Sequence, residues 1–294
     1  MLASSVPSGE VVLAVREFPH PDAPTVLLVH GFPDTQRMWE PLARRLQEYH
    51  HLRVVTYDTR GAGGSTAPSG RAGYRTEPLV DDLVAVLDAT APDAAVHLVG
   101  HDWGSVQLWE AVNNADSDPR LRDRICSFTS ISGPALDYLS HVLREAMRRR
   151  DLGLLRSQAR KSWYVCAFQV PWLPELAVRR LGRRMRAGLK QTQRLDDAHW
   201  ADTFDDDAAN GINLYRANVG RLRGGQPRGT RIPVQLVVPE FDPFLDDRLF
   251  DPLGDYVSNV TRVDVRAGHW VPRTHADLVA RVIADHISAQ PNGG

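Results

Sequence analysis

The spacing of apolar positions along this 294-residue chain changes character twice. Through its first half, short runs rich in Val, Leu and Ile recur: Val11–Val15, Thr25–Val29, Arg53–Tyr57, Ala95–Val99 and Ile125–Ile131. The later runs lack strict alternation, as strands covered on both faces should. Between them Met38–Tyr49, Glu77–Ala89 and Ser105–Asn114 carry helical spacing. Strands alternating with helices predict a mainly parallel sheet wrapped on both sides, an α/β class fold.

After Gly133-Pro134 the pattern switches. From Leu136 to Arg228 the segments read as helices, with no convincing strand. Strands return at Val234–Val238 and Val260–Val265, and His275–Ser288 reads as a closing helix. This divides the chain into an α/β core of residues 1–134 and 229–294 and a helical cap of residues 135–228. An all-helical insertion in a parallel-sheet domain is expected to form a lid over the site. The tail from Gln290 to Gly294 is expected to lack regular structure.

Composition narrows the function. Net charge is -1, so no overall basic field suits nucleic acid. Cys126 and Cys166 stand 40 positions apart without a CxxC spacing, which argues against a disulfide scaffold or structural zinc and fits a reducing, cytoplasmic compartment. The N-terminus lacks the basic and apolar regions of a secretory leader, and no apolar run is long enough to span a bilayer. One local imbalance stands out. Between His141 and Arg194 there are 14 Lys and Arg against 3 acidic residues, followed by six aspartates between Asp196 and Asp207. The plainer reading is a solvated face neutralised by that acidic stretch. The alternative is weak contact with an anionic membrane surface. Oligomeric state is open, a homodimer included.

Candidate chemistry lies where strands end. Gly100-His101-Asp102-Trp103-Gly104 follows the strand Ala95–Val99 and opens a helix, the setting of a nucleophile elbow. The usual serine is here an aspartate. A carboxylate is already charged at neutral pH, needs no activating base, and can form an alkyl ester at saturated carbon. The plain alternative is an aspartate capping the next helix. His30-Gly31-Phe32-Pro33 follows Thr25–Val29, where such folds supply an oxyanion-hole N–H, so Phe32 and Trp103 are the candidate backbone donors. Phe32-Pro33 is expected to be cis. The Gly-rich turn after Arg53–Tyr57 is read as structural, with Arg60 or Asp58 bracing the neighbouring loops. His269 follows the strand Val260–Val265 and is the candidate base. Asp242 follows Val234–Val238 and is the candidate orienting acid, with Glu240 as its rival. The order nucleophile, acid, base is that of α/β-hydrolases. The remaining histidines, His101 and His199 among them, are read as packing or surface residues. Tyr164 and Tyr215 stand in helical contexts within the cap. They are either core aromatics or a pair of phenols that could protonate one oxygen.

HGFPD, DxRGxGxS, GHDWG and GHW, in that order, make the chain resemble the epoxide hydrolases of the α/β-hydrolase superfamily from about Val11 to His286. GHDWG also occurs in haloalkane dehalogenases, whereas Phe32, where many of those enzymes carry Asn, leans the other way. In the cap, Tyr164 stands four residues before the Phe of Phe168-Gln-x-Pro, and Tyr215 stands in a Tyr-Arg pair, as do the two lid tyrosines of the epoxide hydrolases. The resemblance implies water addition to a lipophilic epoxide through an ester on Asp102. Phe168 and Trp270 would help form the pocket, and neither cofactor nor metal would take part. The alternative it leaves is hydrolysis of a carbon–halogen bond by the same nucleophile.

Overall fold

A computed structural model describes residues 1–220 and 226–290. The expectation for the tail therefore falls outside the described residues, except at Gln290. The strands are β1 (Leu2–Ser8), β2 (Val11–Phe18), β3 (Thr25–Val29), β4 (Arg53–Tyr57), β5 (Val96–His101), β6 (Ile125–Ile131), β7 (Val234–Pro239) and β8 (Val260–Val265). They form one sheet in the order β1-β2-β4-β3-β5-β6-β7-β8. The pairings β1–β2 and β2–β4 are antiparallel and all others are parallel.

β3 reads Thr-Val-Leu-Leu-Val with every residue buried, because side chains on both faces meet helices. Leu27 and Val29 enter one core cluster with α2 (Thr76–Thr90) and α3 (Trp103–Asn114). Val26 and Leu28 enter the other, with α1 (Glu40–His50) and the last helix. This is the doubly covered sheet that the unalternating apolar runs predict.

Two elements differ from expectation. β1 was not foreseen, because its sequence Leu-Ala-Ser-Ser-Val-Pro-Ser is mostly small and polar. It is an outermost strand with only Val6 and Ser8 buried, a position that needs no apolar face and tolerates Pro7. β5 continues past Val99 to His101, which delivers the chain straight into the turn at Asp102.

Between β6 and β7 the described residues hold five α-helices and no strand: α4 (Leu136–Arg149), α5 (Leu152–Lys161), α6 (Trp163–Ala167), α7 (Leu173–Gln193) and α8 (Phe204–Asn218). The short α9 (Val271–Thr274) and α10 (Ala276–Ser288) close the chain. α8 seats the insertion on the sheet domain. Asn210 Nδ2 donates to the Gly61 carbonyl at 3.0 Å and the Gly63 N–H to Asp207 Oδ1 at 2.8 Å. Asn218 Nδ2 donates to the Tyr74 carbonyl at 2.8 Å. Among the described residues, no helix is long and apolar enough to cross a membrane.

Candidate active site

Sheet register assembles the site. In the β3–β5 pair Val29 lies opposite Gly100, so two residues further on Gly31 arrives opposite Asp102. In the β5–β6 pair His101 lies opposite Ile131, which brings Ser132 and Gly133 beside the same turn. Pro239 lies opposite Val265, so the loops carrying Asp242 and His269 leave the sheet side by side.

Asp102 sits at φ 53°, ψ -123°, a conformation that side-chain-bearing residues rarely adopt. Such strain persists because the surroundings leave no alternative. A side chain on Gly104 would strike the Val29 carbonyl, and one on Gly31 would strike the Asp102 carboxylate. The elbow can therefore be this tight only with glycine at both places. The Phe32 N–H donates to Asp102 Oδ1 at 2.7 Å, and the Trp103 N–H is also hydrogen-bonded to this carboxylate. The Phe32-Pro33 peptide is cis.

His269 Nδ1 stands 2.8 Å from Asp242 Oδ2, and its Nε2 stands 3.7 Å from Asp102 Oδ2. The two oxygens of Asp102 thus differ. Oδ1 accepts from the Phe32 N–H, whereas Oδ2 faces the imidazole with no hydrogen bond to it. Glu240 is exposed and points away, with Arg266 Nε at 3.8 Å, so Asp242 alone meets the histidine. Asp242 is itself fixed by the Phe244 N–H at 2.8 Å.

Burial pushes the Asp102 carboxyl up to about 6, against the pull of His269 and the two N–H groups. For His269 burial works against the charged form. The carboxylates of Asp242 and Asp102 outweigh it and raise the imidazole above its ordinary value. Burial also opposes the charge on Asp242, yet His269 and the hydrogen bonds of Phe244 and Ser132 hold its carboxyl below the ordinary range. His101, completely buried, is pushed down to about 3, chiefly by desolvation. It is therefore neutral, and its Nε2 lies 3.0 Å from the His269 carbonyl, bracing His269 from behind.

The insertion brings the two tyrosines over Asp102. Their rings pack edge to face at 5.7 Å between centroids, and the hydroxyls share a hydrogen bond. The Trp103 indole N–H serves the Tyr215 hydroxyl. Burial raises both phenols, so they remain protonated donors. Asp102, Trp103, Tyr164 and Tyr215 line a cavity of about 100 Å³. Its other walls include Leu136 of α4, Val165 of α6 and Phe244, mostly apolar positions that sequence reading did not single out.

Phe168 packs against Tyr164, Tyr215 and Phe32 at 5.1–5.6 Å and supports the phenols from outside the cavity lining. Trp270 departs further from expectation. It is not on the cavity wall, because its indole N–H is drawn inward to Asp34 Oδ2 at 2.8 Å. The other oxygen of Asp34 lies 2.8 Å from His199 Nε2 of the insertion. His199 is thus a buried partner, not a surface residue. The only advance signal was the Asp that ends HGFPD. The braces expected nearby are present. Arg60 grips Asp82 through two bonds of 2.7 Å, and Asp58 accepts from the Gln36 and Gly64 N–H groups. Among the described residues no cluster of His, Cys, Asp or Glu could hold a metal ion.

Residues 24–161 match the family described as alpha/beta hydrolase fold. The chain is 35% identical over 290 residues to the probable oxidoreductase EphD of Mycobacterium tuberculosis, covering 95% of this chain and 48% of that protein. It is 34% identical over 192 residues to epoxide hydrolase A of the same organism, covering 63% and 54%. It is 26% identical to epoxide hydrolase 4 of Homo sapiens, covering 88% and 71%. The chain spans about half the length of the first two relatives. Among solved structures, an epoxide hydrolase of Bacillus megaterium in complex with an inhibitor superposes with a TM-score of 0.77 at 20% identity, covering 97% of this chain and all of that one. That likeness speaks to the fold.

Proposed function

We propose that this chain, which has the α/β-hydrolase fold, hydrolyses an epoxide to a vicinal diol through an ester on Asp102. The observation that carries the proposal is the meeting, in one apolar cavity, of a strained elbow carboxylate and two protonated phenols. Relatives that bear the name epoxide hydrolase support it.

The two oxygens of Asp102 divide the work. Oδ2 attacks an epoxide carbon, the carbon–oxygen bond breaks, and the released oxygen takes a hydrogen bond and then a proton from the Tyr164–Tyr215 pair. Oδ1, which already accepts from the Phe32 N–H, becomes the ester carbonyl oxygen, with the Trp103 N–H as its second donor. His269 Nε2 then removes a proton from water, whose oxygen attacks the Asp102 carbonyl carbon. The resulting oxyanion forms where the two N–H groups already point, an arrangement worth roughly 2.7–4 kcal/mol per donor in other enzymes. Collapse breaks the bond between the carbonyl carbon and Oδ2, which leaves in the diol with the proton that His269 took from water. The remaining water proton passes from the regenerated Asp102 carboxyl back to the phenol pair. Esterification also erases the Asp102 charge, one of the groups that holds the imidazole pKa up. The base therefore becomes easier to keep neutral when it is needed.

Hydrolysis of a carbon–halogen bond would use the same carboxylate but needs donors for a departing halide. The Trp103 indole is occupied by Tyr215, and position 32 offers a phenyl ring. Mass spectrometry separates the two readings. His269→Gln incubated with an epoxide should gain the mass of the whole substrate, because ring opening expels nothing. With an alkyl halide, the other reaction would add the substrate less its halide. Asp102→Asn should gain neither. A His269→Gln protein that turns over epoxide yet never carries an adduct would rule out the ester route.

A further inference from the structure

We propose that the outer face of the helical insertion is a docking surface for an anionic lipid bilayer. Two independent features coincide there. The first is exposed apolar surface. Trp163 is 68% exposed and Trp172 78%, and Leu173 and Leu176 follow at 56% and 46%. Large apolar side chains grouped on a surface mark an interaction site. α7 runs for 21 residues yet buries only Val178 and Gly182, so most of it faces outward.

The second feature is unneutralised positive charge. Four of the aspartates that follow α7 already have partners, two of them on α7 itself. Asp206 pairs with Arg179, Asp197 with Lys190, Asp196 with Arg273 of the sheet domain, and Asp207 receives the Gly63 N–H. Arg180, Arg183 and Arg184, all exposed, make no ion pair among the described residues, and neither do Arg156 and Arg160 on α5. The acidic stretch neutralises Arg179 and Lys190 of α7 but leaves these arginines without an ion pair. Arginines beside exposed Leu on α7, with Trp163 on α6 and Trp172 just before α7, match a surface that is anionic at its headgroups and apolar just beneath.

The same features disfavour a second copy of the chain. A symmetric contact through this face would set like-charged arginines against each other. The surface is independent of the catalytic reading, and the two meet only at α6. There the exposed Trp163 stands next to Ser162, Tyr164 and Val165, which line the cavity. A lipophilic substrate dissolved in the bilayer would thus meet the insertion beside the pocket wall.

Sedimentation of the full chain with vesicles of phosphatidylcholine, alone or mixed with phosphatidylglycerol, tests the surface. Binding is expected only to the mixed vesicles, loosening as salt rises. Each arginine is expected to contribute about five-fold to partitioning, so the triple change Arg180→Gln, Arg183→Gln, Arg184→Gln should lower it about a hundredfold. Trp163→Ala with Trp172→Ala should weaken binding while leaving its salt dependence. Circular dichroism and turnover of a water-soluble epoxide should match the parent in every variant, so loss of docking and loss of catalysis remain distinguishable. Equal binding to both vesicle types, no binding to either, or full binding by the triple variant would overturn the proposal. So would concentration-dependent dimerisation abolished by the tryptophan changes.

Discussion

The sheet domain and the helical insertion both contribute to one cavity, but they hold their residues by different means. Asp102, Asp242 and His269 stand on short loops just past parallel strands, so their spacing follows from backbone register. Tyr164 and Tyr215 depend on side-chain ties. Arg216, next to Tyr215, donates to the Phe168 and Val170 carbonyls at 2.6 Å and also pairs with Glu175. One guanidinium thereby draws α8, the turn after α6 and the start of α7 together. Even within the insertion the two phenols differ. α8 buries nine residues and carries three polar links to the sheet domain, whereas α6 buries none. Asp102 and His269 belong to the part of the molecule that is costly to deform, and Tyr164 to a part that opens at lower cost.

The sharpest break of this comparison removes the phenols and spares the loops. Tyr164→Phe with Tyr215→Phe should slow ring opening by about 10²–10⁴-fold, the usual range for acid assistance. Ester hydrolysis should be spared, as followed by single-turnover kinetics and the lifetime of the adduct. Full activity in that double variant would remove the insertion from the chemistry.

Acidity probes the other side. On the proposed mechanism Asp102 must be ionised to attack, and burial raises its pKa to about 6. Ring opening under single-turnover conditions should therefore be fast above that value and fall about tenfold per pH unit below it. Hydrolysis needs neutral His269, and it too should slow as pH falls. Tyr164→Phe and Tyr215→Phe should leave the midpoint for ring opening in place, because the phenols do not titrate in this range. A pH-independent rate of ring opening down to pH 4 would contradict the assignment of Asp102.

A smaller effect sharpens the contrast within the insertion. Arg216→Met removes charged hydrogen bonds worth about 1.5–3 kcal/mol each, with some recovered by water. Denaturant unfolding should show a loss of about 2 kcal/mol. Ring opening should slow more than ester hydrolysis, because Phe168 and the phenols lose their support while the loops of Asp102 and His269 do not. Equal slowing of both steps would mean that the insertion is not an independent support.

Much of the fold was legible because its signals are local. Unbroken Val-Leu-Ile runs mark strands covered on both faces, and a glycine on either side of Asp102 marks the elbow. The loss of strand signals after Pro134 marks the insertion. β1 escaped notice because an outermost strand needs backbone partners more than apolar side chains, and its residues are mostly small and polar. Trp270 was misplaced for the opposite reason. An aromatic beside a catalytic histidine reads as a pocket wall, and only the folded chain brings Asp34 within reach of its N–H.

By itself, then, the amino-acid order determined which chemical groups are available, the strand ends on which they sit, and the place where helices interrupt the sheet. These depend on side-chain identity and on periods of two to four residues. Tertiary structure alone decided the rest. It separated Oδ1 from Oδ2 on Asp102, placed Asp242 rather than Glu240 against His269, buried His199 against Asp34, and left Arg180, Arg183 and Arg184 without acidic partners among the described residues. Each of those outcomes depends on distances between residues far apart in sequence, and on how much water the packed chain excludes around them. No local pattern encodes either quantity.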